Sequence, residues 1–304
     1  MLYLSEEDVR ELLPMREAIR LMAEAFYALG HGSAINQPRR RLILTTGAAL
    51  HSMAASYGDY FGTKFYSTHP KYGAYFYFVL YDARTAEPLA WMEANALGQI
   101  RTGAATGYVA DLLANPQAET LGIIGSGFQA RTQVEAIRAV RDIRTVRVWS
   151  RDAEKRARFA AQAGGEVAKS AEDAVGGAQI VVTATNASEP VLQDGWVAPG
   201  AFIAAMGANR PASRELPTQL VRRAGLVVVD SLEQAKIEAG DLILADCWQN
   251  VRELHTVQRH FDADRVTIFK SLGICVEDVA AAAHVYDRAK LTPERFADRN
   301  RARH

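Results

Sequence analysis

The chain has 304 residues, of which 49% are hydrophobic and 23% are charged. This length is enough for two domains with large buried cores, and the composition is that of an ordinary globular protein. The 35 lysines and arginines balance the 35 aspartates and glutamates, so the formal net charge is zero. We therefore expect no nucleic-acid partner, because nucleic-acid binders carry a basic excess.

Cysteine content and the lengths of the apolar runs indicate the compartment. The sequence has two cysteines, Cys247 and Cys275, too few for a disulfide framework, which favours a reducing compartment. No apolar run approaches the roughly 20 residues that cross a bilayer. The N-terminal sequence MLYLSEEDVR lacks the basic and apolar regions of a signal peptide. We expect a cytoplasmic protein without membrane contact.

Helix signals open the chain and a β-rich segment follows. Ser5 and Asp8 form a capping-box pattern that starts a short helix. After Pro14, apolar residues recur with the helical period as far as Gly30. The region at 38–92 is β-rich, and within it we expect an aromatic strand at 75–81 and a partner strand at 89–92. A helix is expected after it, at 97–113.

After Pro116 short apolar segments alternate with helical ones. The expected strands are TLGII, VRVWS, GEVA, IVVTAT, AFIAAM, LVVVD and VTIF. This alternation predicts βαβ units around a parallel sheet. The fold class is therefore α/β with a doubly wound, Rossmann-type parallel sheet, and one further helix is expected at 276–289.

A glycine-rich turn follows the first of these strands. Residues 121–130, LGIIGSGFQA, match the G-x-G-x-x-G/A fingerprint through Gly125, Gly127 and Ala130. The first glycine allows a tight turn, the second admits a pyrophosphate, and the small third residue lets helix and strand pack closely. Because a strand precedes the turn and a helix follows it, we predict a dinucleotide site rather than an ordinary glycine turn. Phe128 and Gln129 belong to this site.

The end of the second strand indicates which dinucleotide binds. NAD enzymes place an acid there for the ribose 2′-hydroxyl, whereas this chain reads Ser150-Arg151. Arginine suits a 2′-phosphate, which favours NADP(H), with NAD(H) as the alternative. In the competing interpretation Arg151 is a solvated loop residue and Asp152 starts the next helix. Further cofactor contacts are expected from Thr102, Thr183, Met206, Ser271 and Gly273.

Several segments together resemble the ornithine cyclodeaminase/μ-crystallin family. They are QPRR at 37–40, GTKFYSTHP at 62–70, IRTGAATG at 100–107, IIGSGFQA at 123–130, MGANRP at 206–211 and FKSLGICVED at 269–278. The resemblance covers nearly the whole chain in the family's order. It implies a discontinuous α+β substrate and dimerisation domain at 1–114 and 278–304, a Rossmann domain at 115–277, and a homodimer. The predicted strand at 75–81, apolar on both faces, also favours a homodimer because both faces need cover.

The resemblance also implies a carboxylate-binding set of catalytic residues. Lys64 matches the family's active-site lysine and Arg101 its helix-opening arginine. Arg40 matches a further arginine, although a shift of one position within the run 39–41 is an alternative. Arginine contacts a carboxylate through two donors, and lysine supplies a mobile charge or a proton.

One substrate-site position departs from the family pattern. Where ornithine cyclodeaminase and alanine dehydrogenase carry an aspartate, this chain has Asn209. An amide neither accepts a proton nor pairs with an ammonium as a carboxylate does. No histidine or cysteine spacing suggests a metal site.

These features favour an NAD(P)H-dependent reductase of small imino acids. Cyclic imines such as Δ1-pyrroline-2-carboxylate or Δ1-piperideine-2-carboxylate would be reduced at C=N. The alternatives are an ornithine cyclodeaminase or an alanine-type amino-acid dehydrogenase, which Asn209 disfavours, and a non-catalytic NADPH-binding protein like μ-crystallin. The last would bind NADPH without turning over any imino acid.

Overall fold

The computed structural model describes residues 1–292. The chain divides into two compact units, one formed by Met1–Arg101 with the chain from Gly273 onward, the other by Thr102–Leu272. The predicted domain boundaries at 114/115 and 277/278 stay a prediction. The C-terminal arginines after Pro293 lie outside the described residues.

The first unit is built on a seven-stranded sheet with the order β1-β7-β6-β5-β4-β2, with β3 paired to β4. β1 runs parallel to β7, and the other neighbours are antiparallel. Its elements are β1 (Leu2–Leu4), α1 (Glu6–Leu12), α2 (Met15–Gly30), β2 (Ala34–Asn36), β3 (Arg40–Ile43), β4 (Ala49–Tyr57), β5 (Tyr60–His69), β6 (Gly73–Asp82), β7 (Pro88–Glu93) and α10 (Cys275–Lys290).

Local sequence explains the first two helices. The Ser5 hydroxyl accepts a hydrogen bond from the Asp8 amide, and the Asp8 carboxylate accepts one from the Ser5 amide at 2.9 Å, so the predicted capping box is present. α2 buries one face, which includes Met22 and Phe26, and packs against α10.

The two faces of the sheet differ in cover. Across β4, β5 and β6, Met53, Lys64 and Phe78 are direct neighbours and all are buried. α10 packs against these strands. On the alternate face Phe65 and Tyr77 are neighbours and stay half-buried. Strand alternation therefore places the Lys64 side chain on the covered face.

The second unit is built on an eight-stranded sheet, wholly parallel, with the order β10-β9-β8-β11-β12-β15-β13-β14. The predicted parallel α/β fold is confirmed. Its elements are β8 (Thr120–Ile124), α4 (Ala130–Val140), β9 (Thr145–Trp149), α5 (Ala153–Gln162), β10 (Glu166–Val167), α6 (Ala171–Val175), β11 (Ile180–Thr183), β12 (Phe202–Ala205), α7 (Thr218–Arg223), β13 (Leu226–Val229), α8 (Leu232–Glu238), α9 (Gly240–Ile243), β14 (Val251–Glu253) and β15 (Thr267–Lys270).

The strands of this sheet end in one row. Register pairs join Trp149, Ile124, Thr183, Ala205 and Lys270 across the carboxyl edge. Open parallel sheets bind ligands outside this edge. α3 (Asn95–Leu113) begins in the first unit and ends in the second.

Membrane-spanning helices were sought among the described residues. None of the helices there combines the length and the apolar character needed to cross a bilayer.

Candidate functional site

A buried cluster of opposite charges lies in the first unit. Lys64 on β5 and Arg101 on α3 both reach Asp278 on α10. The Lys64 Nζ and the Arg101 Nε each lie 3.0 Å from Asp278 Oδ1. A second ion pair joins Arg101 Nη1 to Glu277 Oε2 at 2.8 Å. The structure thus brings together two of the three predicted cations.

The third predicted cation, Arg40, is not in this cluster. It lies at the start of β3 opposite Ser52, and it is exposed. Its neighbour Arg39 is buried and donates a hydrogen bond from Nη2 to the Gly273 carbonyl at 3.1 Å. Gly273 also packs against Arg101, since a Cβ there would lie 2.2 Å from Arg101 Nη1. Arg39 therefore stands beside Arg101, as the one-position alternative expects.

This cluster gathers cationic side chains around two carboxylates. Lys64 and Arg101 pair with Asp278 and Glu277, and Arg39 lies close by. Cationic side chains grouped in this way suit an anionic ligand such as a carboxylate. Both carboxylates lie in the first turn of α10, where Glu277 Oε1 also accepts from the Ile274 amide at 3.2 Å. Sequence reasoning quoted these two residues in a motif but assigned them no role.

Lys64 occupies a buried, closely packed position. A Cβ on Gly98 would lie 2.8 Å from Lys64 Nζ, so a larger residue there would displace the ammonium. Burial lowers the pKa of Lys64, and Arg101 lowers it further, while Asp278 opposes both. Lys64 therefore gives up a proton more readily than an exposed lysine.

The glycine-rich turn of the second unit has the geometry of a phosphate cradle. Gly125 has φ of +118°, and a Cβ there would lie 2.4 Å from the Ala184 carbonyl oxygen. By contrast, apart from Gly127 itself and its two neighbours in the chain, no heavy atom of the described residues lies within 4 Å of the position of a Cβ on Gly127. This open space lies just before α4, whose first amides suit an anion. Phe128 is exposed and Gln129 directly precedes α4.

Two arginines lie near the end of β9, one in the loop that follows it and one on α5. Ser150 is buried and its hydroxyl lies 2.8 Å from the Ser126 hydroxyl, which links it to the glycine-rich turn. Arg151 is exposed. Arg156, which the sequence analysis did not single out, donates from Nη1 to the Ser150 carbonyl at 2.8 Å. Asp152 accepts from the Lys155 amide and caps α5, so its carboxylate serves the helix.

The remaining predicted cofactor residues occupy the strand ends. Thr183 ends β11, Met206 follows β12, and Ser271 follows β15. Within residues 1–292 the buried hydroxyl oxygens of Thr183 and Ser271 have no hydrogen-bond partner. Such groups fit a polar ligand at the carboxyl edge. Together with the open Gly127 turn, these residues fit a dinucleotide.

Two predicted residues lie at the division between the units. Thr102 opens the second unit on α3 and is buried, while Gly273 resumes the first unit and has φ of +72°. Asn209 lies four residues beyond the end of β12 and is partly exposed. Its predicted role in substrate binding stays a prediction.

Comparison with known proteins reveals relatives over most of the chain. The model of the ornithine cyclodeaminase/mu-crystallin family matches residues 1–292. The ketimine reductase mu-crystallin of Mus musculus is 38% identical over 213 residues, which cover 69% of this chain and 68% of that protein.

Two solved structures are similar over nearly the whole chain. One is the Thermococcus litoralis Δ1-pyrroline-2-carboxylate reductase in complex with NADH and L-proline, with a TM-score of 0.88, 30% identity and coverage of 95% of this chain and 97% of that chain. The other is an archaeal alanine dehydrogenase dimer with bound NAD, with a TM-score of 0.91, 31% identity and coverage of 96% and 97%. The chain belongs to the ornithine cyclodeaminase/μ-crystallin family.

Proposed function

We propose that the chain is an NAD(P)H-dependent oxidoreductase that reduces small imino acids at C=N. The carrying observation is the buried cluster around Asp278, where Arg101 lies beside Lys64, a lysine of lowered pKa. Family relatives named for reduction of ketimines and of Δ1-pyrroline-2-carboxylate support the same reaction class.

The substrate carboxylate is assigned to the cationic cluster. Arg39 and Arg101 supply planar, multiple donors, and they take the place that the sequence analysis gave to Arg40 and Arg101. Held in this way, the imine presents a fixed geometry, and positioning contributes much of the rate enhancement. We prefer cyclic imines, because a neutral ring needs no second counter-charge at Asn209.

Lys64 is assigned to the proton. Reduction of C=N adds a hydride to carbon and a proton to nitrogen, and an ammonium of lowered pKa is a competent donor near neutral pH. The proton passes from Lys64 Nζ, or from a water that it orders, to the imine nitrogen. The bound dinucleotide supplies the hydride. Gly125, Gly127 and the first amides of α4 would hold its pyrophosphate.

A substrate panel tests the function. Cyclic imines, and 2-keto acids mixed with amines, are offered with NADPH and with NADH, and oxidation is followed by absorbance. Imine reduction is expected, with little or no conversion of ornithine to proline. Robust ornithine cyclodeamination would instead favour the cyclodeaminase, and NADPH binding without turnover of any imino acid would favour the non-catalytic alternative.

The finer proposal is a preference for NADP(H). Ser150 with the nearby arginines Arg151 and Arg156 offers positive charge and hydroxyl donors to a 2′-phosphate, and Asp152 is occupied as a helix cap. We expect Arg151→Ala to raise KM for NADPH by about tenfold, the loss of a charge-assisted hydrogen bond. KM for NADH should change by less than about twofold, because NADH has no phosphate for the arginine to bind. Equal changes for both dinucleotides would contradict the assignment.

A further inference from the structure

A second buried charged cluster lies at the carboxyl edge of the parallel sheet. It consists of Glu215, Asp241 and Lys270, here called the strand-end cluster, and each side chain is at most 1% exposed. Lys270 Nζ lies 2.9 Å from Asp241 Oδ2 and also donates to the Ala208 carbonyl. Asp241 Oδ1 accepts from the amides of Glu215 and Leu216 at 2.6 and 2.8 Å. The three residues thus form one connected network.

Glu215 ties together two segments that follow neighbouring strands. Its Oε1 accepts from the amide and the hydroxyl of Thr185, at 2.8 and 2.7 Å, just after β11. Its Oε2 accepts from the Gly207 amide at 2.6 Å, just after β12. A Cβ on Gly207 would lie 1.9 Å from the Thr185 carbonyl oxygen, so the two segments are in close contact and only glycine fits.

The charges explain why all three residues are present. Glu215 accepts three hydrogen bonds, an arrangement that suits the ionised carboxylate, whose two oxygens act only as acceptors. Burial raises the pKa of Glu215, as does Asp241, while Lys270 opposes them. Without Lys270 the carboxyl group would more readily take up a proton, and a donor would then face the N–H groups that it now binds. Lys270 is fully buried and committed to Ala208 and Asp241, so it is not a substrate lysine.

The segments that this cluster holds lie on one side of the glycine-rich turn. In the sheet order, β9 lies on one side of β8, and β11, β12 and β15 lie on the other. Ser150, the residue predicted to contact the adenosine ribose, follows β9. A dinucleotide lies across the carboxyl edge with its pyrophosphate at the turn after β8. Its adenosine half is therefore assigned to the β9 side and its nicotinamide half to the side that carries Thr185 and Gly207.

We propose that Glu215, Asp241 and Lys270 are positioning residues that hold the segments at 184–187 and 206–209 ready for the nicotinamide half of the cofactor. The inference rests on the NAD(P)H cofactor of the proposed function, but not on its imine substrate. Because these segments are already ordered in the folded protein, they lose little conformational entropy when the cofactor binds.

The test separates the two halves of the cofactor. The Kd of NADPH is compared with that of ADP-ribose 2′-phosphate, and the Kd of NADH with that of ADP-ribose, by calorimetric titration. Each second ligand lacks the nicotinamide ring. In Glu215→Gln an amide NH₂ replaces one acceptor oxygen, so either Gly207 or Thr185 faces a donor. We expect the Kd of each dinucleotide to rise by at least about fivefold, and that of each fragment to change by less than about twofold.

A matched control is available in the same unit. Glu238 is equally buried and accepts a hydrogen bond from Gln234 within its own helix, α8. Glu238→Gln makes the same chemical change at a carboxylate that accepts from its own helix, and it should leave all four Kd values within about twofold. If Glu215→Gln does not fold, as judged by circular dichroism and Tm, Thr185→Val is the second variant, because it removes one hydroxyl donor to Glu215. It should raise the Kd of the dinucleotides, but not of the fragments, by a smaller factor.

The outcomes divide clearly. A selective loss of dinucleotide affinity supports the positioning role. Equal shifts for dinucleotide and fragment, or none, would overturn it, because they would mean a general structural effect or no effect. Imine turnover is measured separately. Wild-type protein that binds NADPH but reduces no imine would contradict the proposed function. The comparison of Kd values would still decide the positioning role.

Discussion

At the scale of single residues, Lys64 links burial to a measurable pH dependence. Its pKa is lowered by burial and by Arg101. A proton donor works only while protonated, so kcat/KM should fall as pH rises through this lowered pKa, below the range of ordinary lysines. Lys64→Ala should lower kcat/KM by at least about tenfold, equal to ~1.4 kcal/mol, and remove this alkaline limb.

An exposed lysine provides the control for that profile. Lys71 follows β5 and is exposed. Lys71→Ala should leave both kcat/KM and the alkaline limb unchanged. An alkaline limb that persists in Lys64→Ala would assign the proton to another group.

The adjacent arginines Arg39 and Arg40 form a natural pair of variants. Arg39 is buried beside Gly273, whereas Arg40 is exposed on β3. Arg39→Ala should raise KM for the imino acid by at least about tenfold, because a charge-assisted contact is lost, and Arg40→Ala by less than about twofold. Steady-state kinetics at saturating NADPH distinguishes them. The reverse order would restore the original assignment to Arg40.

Arg39 and Arg40 also show how precisely a sequence motif can identify a site residue. A motif match places a site to within a residue or so, and Lys64 and Arg101 meet at Asp278 as expected of a shared site. In the run of three arginines, however, only the backbone phase decides which side chain turns inward. Glu277 and Asp278 were missed because their partners lie more than 170 residues away in the sequence.

At the scale of elements, α10 supplies the counter-charges of the cationic cluster. Asp278→Asn removes one charge that two buried cations share. Breaking a buried pair from one side costs about 3–5 kcal/mol, so the free energy of unfolding in urea should fall by roughly that amount. The pKa of Lys64 should fall further, since Asp278 is the main group that raises it.

The same helix offers a matched substitution. Asp287, also on α10, accepts a hydrogen bond from the Tyr60 hydroxyl at 2.6 Å at an exposed position. Asp287→Asn should cost less than about 1 kcal/mol, as is usual for exposed polar pairs. Similar losses for both variants would mean that the buried pairs stabilise no more than the surface contact does.

Elements with strong periodic patterns were predictable from sequence. The capped α1, the aromatic β6 and the glycine-flanked β8 fall where their patterns predict them. Some short elements were missed, among them β1 and α9. β1 has no turn signal before it and exists by parallel pairing with β7, a contact across more than 80 residues. Such long-range pairing leaves no local pattern.

At the scale of the whole molecule, the two faces of the first unit's sheet differ in how far they are buried, and this difference predicts the oligomeric state. α10 packs against β4, β5 and β6, whose inward row is buried. The alternate face carries half-buried aromatic side chains, with the Phe65 ring 5.3 Å from Trp91. Near it Leu42 and Tyr75 are exposed. Exposed apolar side chains grouped on one face of a sheet indicate a candidate interaction site.

We therefore predict a homodimer formed through this half-covered face, in keeping with the dimer reported for the archaeal alanine dehydrogenase structure. Light scattering at micromolar concentration should give twice the mass of one chain. Trp91→Glu places a charge in the aromatic face and should raise the dimer Kd by at least about thirtyfold, equal to ~2 kcal/mol. Tyr27→Glu changes an aromatic residue on α2 that is 66% exposed and should leave the dimer intact. A monomeric wild-type protein, or equal weakening by both variants, would contradict assembly through this face.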